Sequence, residues 1–270
     1  MRKVVCITGS TDGIGRSAAL QLAKAGSSII LHGRSRKRLE EVKKEVAPFA
    51  GLANVSAVKA DFSSLEEAAM MAKALLAGND HIDVLINNAG VYMERRELTV
   101  DGFETTFAVN YLAHFHLTLL LEPLLLKSNA RIINVSSVDH LSAGFDVGNI
   151  QGERHYTGYD AYAFSKLCNV MFTFEYAERL KETGVTINTL DPGVLATKLL
   201  HAGWMLSGQD PVYGGEALAW LALSEDVAGI TGRYFENNHP ASCSSHAMDP
   251  DLRRQLWNIS KEMLEARSAR

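Results

Sequence analysis

Short apolar runs alternate along this chain with longer stretches whose apolar residues recur at helical spacing. The run at 4–7 is followed by a stretch in which Ala18, Ala19, Leu22 and Ala23 share one helix face. Strands are predicted at residues 4–7, 28–31, 55–59, 82–86, 131–135, 185–190 and around 233–235. Helices are predicted after the first strand and at 36–46, from a capping box at 63–66, and at 103–126, 161–181, 213–223 and 249–266.

Regular alternation of strand and helix predicts an α/β fold, a doubly wound parallel sheet of the Rossmann type with helices on both faces. The pattern shows no internal repeat, linker or low-complexity stretch, so residues 1–270 are expected to form a single domain. Ligands of such sheets bind beyond the carboxyl ends of the strands. Candidate binding residues stand at these ends: Gly9, Arg34, Asp61, Asn88, Ser137 and Pro192.

Composition narrows the class of protein. The 270 residues are 47% hydrophobic and 21% charged, as in one soluble domain. A net charge of −4 argues against a nucleic-acid surface. Three scattered cysteines favour a reducing, cytoplasmic location. The first strand starts too early for a signal peptide, and the apolar stretch 117–126, broken by Glu122 and Pro123, is too short for a transmembrane span.

A glycine-rich turn joins the first strand to the first helix. Its residues are Thr8-Gly9-Ser10-Thr11-Asp12-Gly13-Ile14-Gly15. Glycines let the backbone turn sharply and approach a ligand, and the N–H groups at a helix start bind phosphate. Strand, glycine turn and helix together predict a dinucleotide site, although a tight packing turn would give a similar pattern.

The end of the second strand bears on the choice of cofactor. NAD-specific enzymes usually place a carboxylate there for the ribose 2′-hydroxyl. This chain has Gly33 and then Arg34, whose guanidinium suits a 2′-phosphate. Arg36 supports the same preference, because a basic residue opposes the dipole at a helix start. Lys37 and Arg38 are interpreted as a solvated helix start. NADP(H) is therefore preferred, with NAD(H) as the alternative.

Tyr162 and Lys166 lie four residues apart in a predicted helix and so share a face. An ammonium beside a phenol favours phenolate. Free tyrosine titrates near pH ~10, and moving it to neutrality requires roughly 4 kcal/mol. Tyr162 is then a general acid for carbonyl reduction or a base for alcohol oxidation.

Taken together, these motifs resemble the short-chain dehydrogenase/reductase family of the TGxxxGIG, Asn-Ser-Tyr-Lys type. The resemblance runs from Thr8 to Thr197 and includes an Asn87-Asn88-Ala89-Gly90 motif after the fourth strand. Within the family the chain is most similar to retinol dehydrogenase-like members. That similarity rests on Arg34, the insertion between residues 137 and 162, and the sequences at 167–170, 232–235 and 249–264.

The resemblance assigns further roles. It implies that Ser137 polarises the substrate carbonyl, with Ser136 facing the other side of the sheet, and that Asn110 holds a water linking Lys166 to solvent. Asp61 is expected to hydrogen-bond the edge of the adenine, although a carboxylate at the entry to a helix explains this residue nearly as well. The remaining expected cofactor-binding residues are Gly9, Ser10, Gly13, Ile14, Gly15, Asn88, Gly90, Tyr162, Lys166, Pro192, Val194 and Thr197. No metal is assigned to His114 and His116. For the oligomeric state, a homodimer and a homotetramer are both open.

The substrate is expected to be a small carbonyl compound or alcohol. Residues 138–161 are interpreted as a flap over the site, against a plain surface loop. Residues 196–210 form a substrate-side segment, whose Leu199, Leu200, Trp204, Met205 and Leu206 line an apolar pocket or pack into the core. Two other functions stay open at this point. They are a sugar-nucleotide epimerase or dehydratase, which the glycine spacing disfavours, and a non-catalytic NADP(H)-binding module.

Overall fold

A computed structural model describes residues 2–204 and 206–268. At its centre is an eight-stranded sheet in the order β3-β2-β1-β4-β5-β6-β7-β8. Strands β1 to β7 are parallel, and β8 pairs antiparallel with β7. The strands are β1 Val4–Ile7, β2 Ser28–Gly33, β3 Val55–Lys59, β4 Val84–Asn87, β5 Arg131–Val135, β6 Thr186–Asp191, β7 Tyr234–Glu236 and β8 His239–Pro240.

Helices cover both faces of this sheet. They are α1 Gly13–Lys24, α2 Arg36–Ala50, α3 Leu65–Gly78, α4 Thr105–Lys127, α5 Gly158–Arg179, α6 Lys198–Gly203, α7 Pro211–Leu223, α8 Ser245–Met248 and α9 Pro250–Ser268. Within α4, residues Ala108–Leu112 form a π-helical turn. Short 3₁₀ turns stand at Leu52–Asn54, Val138–Leu141, Val147–Asn149 and Glu225–Val227.

Two apolar layers hold the helices to the sheet. On one face Leu22 of α1, Val42 of α2 and Leu218 of α7 pack on the strands. On the other face α3, α4, α5 and α9 supply a larger, aromatic-rich layer that includes Phe115 and Phe172. Both faces of the parallel strands are therefore buried, which explains why they read as continuous apolar runs. The predicted doubly wound α/β fold is confirmed.

The position of the site follows from the strand order. Neighbours β1 and β4 are consecutive in the sheet but not in the chain, so the connections diverge on either side of them. A crevice opens at such a switch point, beyond the carboxyl ends of the strands. The glycine turn after β1 and the Asn88 turn after β4 meet in this crevice.

Several predicted boundaries need correction. Helix α2 runs on through Pro48 to Ala50, because Pro48 removes only one hydrogen bond near the helix end. Helix α5 starts at Gly158, where Thr157 caps it by accepting from the Asp160 N–H. The cap of α3 is Ser64, which accepts from the Glu67 N–H, one residue later than predicted. Strand β8 was not predicted, since two residues are too few to show a period.

Helix α4 is the most apolar long element. By length and composition it could cross a membrane, but 67% of its apolar window is buried inside the protein. It packs between α3 and the elements around α5 in the aromatic-rich layer. Its uniform apolarity is thus that of a buried core helix.

Candidate active site

The glycine turn leaves open backbone at the start of α1. Gly9 and Gly13 have φ of +65° and +51°, a region that favours glycine. A Cβ on Gly9 would lie 2.7 Å from the Ala89 Cα, and one on Gly15 would lie 2.5 Å from the Asn88 Nδ2. The three glycines are therefore required where two chain segments meet, and they form a cradle free of side chains at a helix N-terminus.

Thr8 joins the turns after β1 and β4. Its Oγ1 accepts from the Asn88 and Ala89 N–H groups at 2.8 and 3.0 Å. The His114 Nδ1 donates to the Asn110 carbonyl at 3.0 Å, so the Nε2 is left to accept from the Thr8 hydroxyl at 2.9 Å. Asn88 also donates through Nδ2 to the Thr8 carbonyl at 2.8 Å. Predicted as a cofactor contact, Asn88 thus also braces the glycine turn.

His32 fastens the same turn to the end of β2. Its ring Nε2 donates to the Ala60 carbonyl, which leaves Nδ1 to accept from the Gly9 N–H at 3.1 Å. The Ser10 hydroxyl donates to the His32 carbonyl and accepts from the His32 N–H. Ser10, predicted as a cofactor contact, therefore uses its side chain to hold the turn in place.

Tyr162 and Lys166 lie on one face of α5, as predicted, and both are buried. The Lys166 Nζ stands 5.4 Å from the centroid of the Tyr162 ring and donates to the Val135 carbonyl at 2.9 Å. This carbonyl belongs to the last residue of β5. Lys166 thus fixes α5 against the carboxyl edge of the sheet and holds its charge beside the phenol.

Ser137 follows β5 and reaches the Tyr162 hydroxyl through a hydrogen bond that lowers the pKa of the phenol. The Ser137 Oγ also donates to the Asp139 Oδ2 at 3.0 Å. Ser136, by contrast, donates to the Lys166 carbonyl at 3.0 Å and is buried. Ser137 faces Tyr162, whereas Ser136 contacts the helix that carries Tyr162 and not the other side of the sheet as predicted, because its hydroxyl bonds the Lys166 carbonyl. The catalytic role of Ser137 stays a prediction.

Asn110 lies in the π-helical turn of α4, an irregularity often found at functional sites. Its Oδ1 accepts from the Val91 N–H at 2.7 Å, and its Nδ2 donates to the Val91 carbonyl and the Ser165 hydroxyl, each at 3.0 Å. The side chain therefore joins α4 to α5 and to the chain after β4. The role of Asn110 in a water relay stays a prediction.

Burial dominates the titration of the site. It raises the pKa of Tyr162, and the charges of Asp139 and Asp191 raise it further. This direction is opposite to the one expected from Lys166 alone, because desolvation of a phenolate outweighs an ammonium that is itself bound to a carbonyl. Burial lowers the pKa of Lys166 to about 8, although Asp191 and Asp139 raise it.

Other predicted cofactor residues surround the glycine turn. Thr197 caps α6 and lies over Gly13, whose added Cβ would be 3.2 Å from the Thr197 Cγ2. Ile14 lies on the far side of the turn, against Gly214. Pro192 and Val194 follow β6, and Val194 is 49% exposed. Lys198 of α6 forms an ion pair with Asp12, so the substrate-side segment is tied to the glycine turn.

The remaining predicted cofactor positions lie at the ends of β2, β3 and β4. Arg34 is exposed after β2, and Arg38 lies 3.8 Å from the Asp12 carboxylate. Arg38 was predicted to be a solvated residue of the helix start, but this contact places it beside the glycine turn. The Asp61 Oδ1 accepts from the Ser63 N–H and hydroxyl, which is the helix-entry role. Gly90 faces Asn110 and Leu199 at ordinary contact distance.

Two aromatic side chains, Trp204 and Tyr92, lie against Tyr162, and a third, Tyr159, lies against Trp204. The Trp204 ring meets the Tyr162 ring edge-on, with centroids 5.1 Å apart, and Tyr92 lies 6.2 Å away. Tyr159 meets the outer side of Trp204 at 6.3 Å. Of the predicted apolar wall, Leu199 lies near Gly90, Leu200 is buried and Leu206 is exposed. Met205 lies outside the described residues.

The predicted flap divides between two places. Its first turn, Val138–Leu141, borders Ser137 and Tyr162. Residues 142–157 instead cover a cavity of about 460 Å³ on the α5 face opposite Tyr162. Its lining includes Glu104, Phe107, Phe145, Tyr156, Phe164 and His246. The last residues of the predicted flap, 158–161, belong to α5.

Some functional neighbours were not predicted. Asp139 and Asp191 stand at the ends of β5 and β6, where polar residues were already expected, and this position is the signal that could have found them. Tyr92 lies two residues after the Gly90 motif, and Tyr159 lies three before Tyr162. His32 and His114 carry no such signal, because a buried histidine in an apolar run resembles any core residue.

Comparisons with known proteins agree with this geometry. A family model described as short chain dehydrogenase matches residues 3–204. Retinol dehydrogenase 11 of Homo sapiens is 38% identical over 272 residues, covering 97% of this chain and 86% of that protein. Polyprenol dehydrogenase of Mus musculus is 36% identical over 273 residues, covering 94% of this chain and 82% of that protein.

Solved structures share the fold. An uncharacterised protein from Mycobacterium Paratuberculosis has a TM-score of 0.81 at 27% identity, covering 97% of this chain and 93% of its own. The RhlG/NADP active-site complex of Pseudomonas aeruginosa has a TM-score of 0.70 at 23% identity, covering 86% and 93%. The chain thus belongs to the short-chain dehydrogenase/reductase family of oxidoreductases, in its retinol dehydrogenase-like branch.

Proposed function

We propose that this protein is an NADP(H)-dependent oxidoreductase that interconverts a lipophilic carbonyl compound and its alcohol. The observation that carries the proposal is the group around Tyr162. Its hydroxyl is bonded to Ser137, and Lys166 holds a positive charge 5.4 Å from its ring. This pair stands at the same sheet edge as the glycine turn, so a proton donor and a phosphate cradle share one crevice.

The cradle suits a nicotinamide dinucleotide. Backbone N–H groups at the start of α1 would hold the pyrophosphate, because Gly9, Gly13 and Gly15 leave this turn without side chains at a helix N-terminus. Pro192, Val194 and Thr197 would line the nicotinamide side, and Asp61 and Asn88 the remainder. When bound, the cofactor supplies or accepts the hydride.

The chain's own residues then handle the proton. Tyr162 donates its hydroxyl proton to the carbonyl oxygen in reduction, or accepts the alcohol proton in oxidation. Ser137 lies beside that hydroxyl, where it can orient the substrate oxygen. Lys166 fixes Tyr162 against β5, and Asn110 joins α4 to α5 beneath them. Trp204 and Tyr92 exclude water from the open side.

The preference for NADP(H) rests on the end of β2. A Cβ on Gly33 would lie 2.6 Å from the Thr11 Cγ2, so the side chain of an acid at this position has no room. The ties of Gly9 and Ser10 to His32 hold the turn that carries Thr11 in place. Arg34, Arg36 and Arg38 are exposed cations that follow this strand end, and a guanidinium suits a 2′-phosphate.

The lipophilic substrate is supported by the aromatic wall of Tyr92, Tyr159 and Trp204. Large aromatic rings favour apolar ligands, and their polar edges can orient them. Retinol dehydrogenases and a polyprenol dehydrogenase are among the similar proteins, and both names describe lipophilic alcohols.

The test is a series of straight-chain aldehydes with NADPH. We expect kcat/KM to rise with chain length, by up to ~0.8 kcal/mol for each buried CH₂. Trp204→Ala should flatten the rise, whereas Trp220→Ala, on the far face of the sheet beside Phe235, should only lower stability. Preference for short polar carbonyls would contradict the lipophilic substrate, and absence of NADPH oxidation with every aldehyde would contradict the reaction.

A further inference from the structure

Asp139 connects two hydroxyl groups at the mouth of the site. The Ser137 Oγ donates to its Oδ2 at 3.0 Å, and the Tyr159 hydroxyl donates to its Oδ1 at 3.1 Å. The Asp139 N–H donates back to the Ser137 Oγ at 3.2 Å. One carboxylate oxygen therefore holds Ser137, which lies beside Tyr162, and the other holds Tyr159 at the start of α5, which packs on Trp204.

These contacts constrain the Ser137 hydroxyl. It has one hydrogen, which it donates to Asp139, and its oxygen accepts from the Asp139 N–H, so Asp139 holds the Ser137 Oγ through two hydrogen bonds. Asp139 therefore fixes the position of the Ser137 Oγ beside Tyr162. A neutral acceptor in place of Asp139 would hold the hydrogen less firmly, because bonds to a charged acceptor are about twice as strong.

We propose that Asp139 is a positioning residue for proton transfer, which orients the Ser137 hydroxyl and keeps a negative charge beside Tyr162, so that the site favours carbonyl reduction near neutral pH. The proposal rests on the function proposed above. Reduction uses the protonated phenol and oxidation uses the phenolate. A neighbouring carboxylate disfavours the phenolate and so disfavours the oxidising form.

The charges facing Tyr162 are few among the described residues. Lys166 lies on its own helix, Asp139 on the turn after β5, and Asp191 at the end of β6. Both carboxylates raise the pKa of Tyr162 and that of Lys166. Asp191 is held by the Gly193 and Val138 N–H groups. Of these two carboxylates, Asp139 is the one bonded to Ser137.

The experiment compares Asp139→Asn with Asp139→Ala. The asparagine keeps the size and one acceptor but removes the charge, whereas alanine removes both. Asp146→Asn is the matched control, since Asp146 is an exposed carboxylate of the same loop paired with Arg154. The first measurement is the pH dependence of kcat for alcohol oxidation. The second is phenolate absorbance of each protein minus that of its Tyr162→Phe counterpart, which isolates the titration of Tyr162.

We expect Asp139→Asn to lower the midpoint of the kcat profile and that of the phenolate titration by about one pH unit. The same change should raise kcat for alcohol oxidation at pH 7 several-fold. Asp139→Ala should give the same shift with a lower kcat in both directions, which the asparagine restores. Midpoints equal to those of Asp146→Asn would overturn the proposal. So would loss of folding in both Asp139 variants, since Asp139 would then be structural.

The two proposals fail in different ways. If no alcohol or carbonyl is turned over by the unaltered protein, the proposed function fails, but the absorbance titration still measures the effect of Asp139 on Tyr162. If the protein turns over substrate but the Asp139 variants leave the titration midpoint of Tyr162 unchanged, the proposed function is retained and the proposed role of Asp139 is rejected.

Discussion

At the scale of single residues, the site depends on groups whose burial is unfavourable for folding. Lys166 is 3% exposed, and its ammonium has one carbonyl partner besides nearby carboxylates. Tyr162 is buried with its hydroxyl bonded to Ser137. Burying such groups reduces stability, and proteins keep them where the chemistry needs them. Substituting these residues should therefore remove activity without lowering the stability of the fold.

Tyr162→Phe should remove turnover while leaving NADPH binding within a few-fold, because the phenol proton is needed only in the chemical step. The measurement is kcat together with the Kd for NADPH from fluorescence titration. Tyr213→Phe, an exposed tyrosine on α7, is the control and should keep both values. More than roughly a tenth of the original kcat in Tyr162→Phe would show that another group supplies the proton.

Lys166→Met should abolish activity yet stabilise the fold at neutral pH. The folded pKa of Lys166 is lowered from 10.5 to about 8, so the buried ammonium destabilises the protein below pH 8. The cost is on the order of 3 kcal/mol and disappears as pH rises from 8 to 10.5. Urea unfolding at several pH values checks this. An equal difference between the two proteins at pH 7 and pH 10 would contradict the titration of Lys166.

At the scale of elements, the carboxyl end of β2 determines much of the site. The parallel pairing of β2 with β1 brings this end beside the glycine turn, where His32 holds Gly9 and Ser10. Gly33 then faces Thr11, and Arg34 follows on the exposed side. One strand end thus supplies both the support of the phosphate cradle and the cations near it.

Arg34→Ala should weaken NADPH binding far more than NADH binding, since only NADPH carries a 2′-phosphate. Losing a charge-assisted hydrogen bond costs ~1.5–3 kcal/mol. Lys37→Ala is the control, because Lys37 is an exposed cation interpreted as part of the solvated helix start, and Arg36→Ala tests the second candidate for the phosphate contact. Calorimetric titration with both cofactors measures the ratio. Equal losses for NADPH and NADH would make Arg34 a structural residue, and a larger effect of Arg36→Ala would move the phosphate contact to that position.

At the scale of the whole molecule, two buried histidines link the layers around the crevice. Burial lowers the pKa of His32 to about 4 and that of His114 to about 3. The ring of Phe62 stands between them, 4.3 Å from His32 and 5.3 Å from His114. Their hydrogen bonds join β2 to the glycine turn and α4 to Thr8. Both need one unprotonated nitrogen for these bonds.

The fold should therefore lose stability as pH falls from 6.5 toward 4. In that window the unfolded chain binds protons at these histidines and the folded chain does not, so protonation favours unfolding. Urea midpoints at pH 7 and pH 4.5 measure the loss. His114→Asn should lower stability at pH 7 but reduce the acid-induced loss, whereas His239→Asn, exposed on β8, should change neither. Identical acid-induced losses in all three proteins would exclude the role of His114.

The sequence predicts the elements well because the strands are buried on both faces and the helices on one. It also places Gly9, Ser137, Tyr162 and Lys166 at one edge, since strand ends in a parallel sheet coincide. It does not show Asp139 bonded to Ser137, or Trp204 against Tyr162, because these contacts depend on how loops fold back. The direction expected for the pKa of Tyr162 from Lys166 alone does not hold for the same reason, because burial, which raises this pKa, is a property of the packed fold.

The ion pair between Lys198 and Asp12 has a consequence for the order of binding. Helix α6, through Thr197 and Lys198, lies over the start of α1, and its following residue Trp204 lies against Tyr162. In the proposed function, a dinucleotide would lie beneath this helix with its phosphates on the cradle, and a substrate would enter afterwards from the Trp204 side. Binding is thus expected to follow a compulsory sequence, with the cofactor as the first molecule in and the last one out.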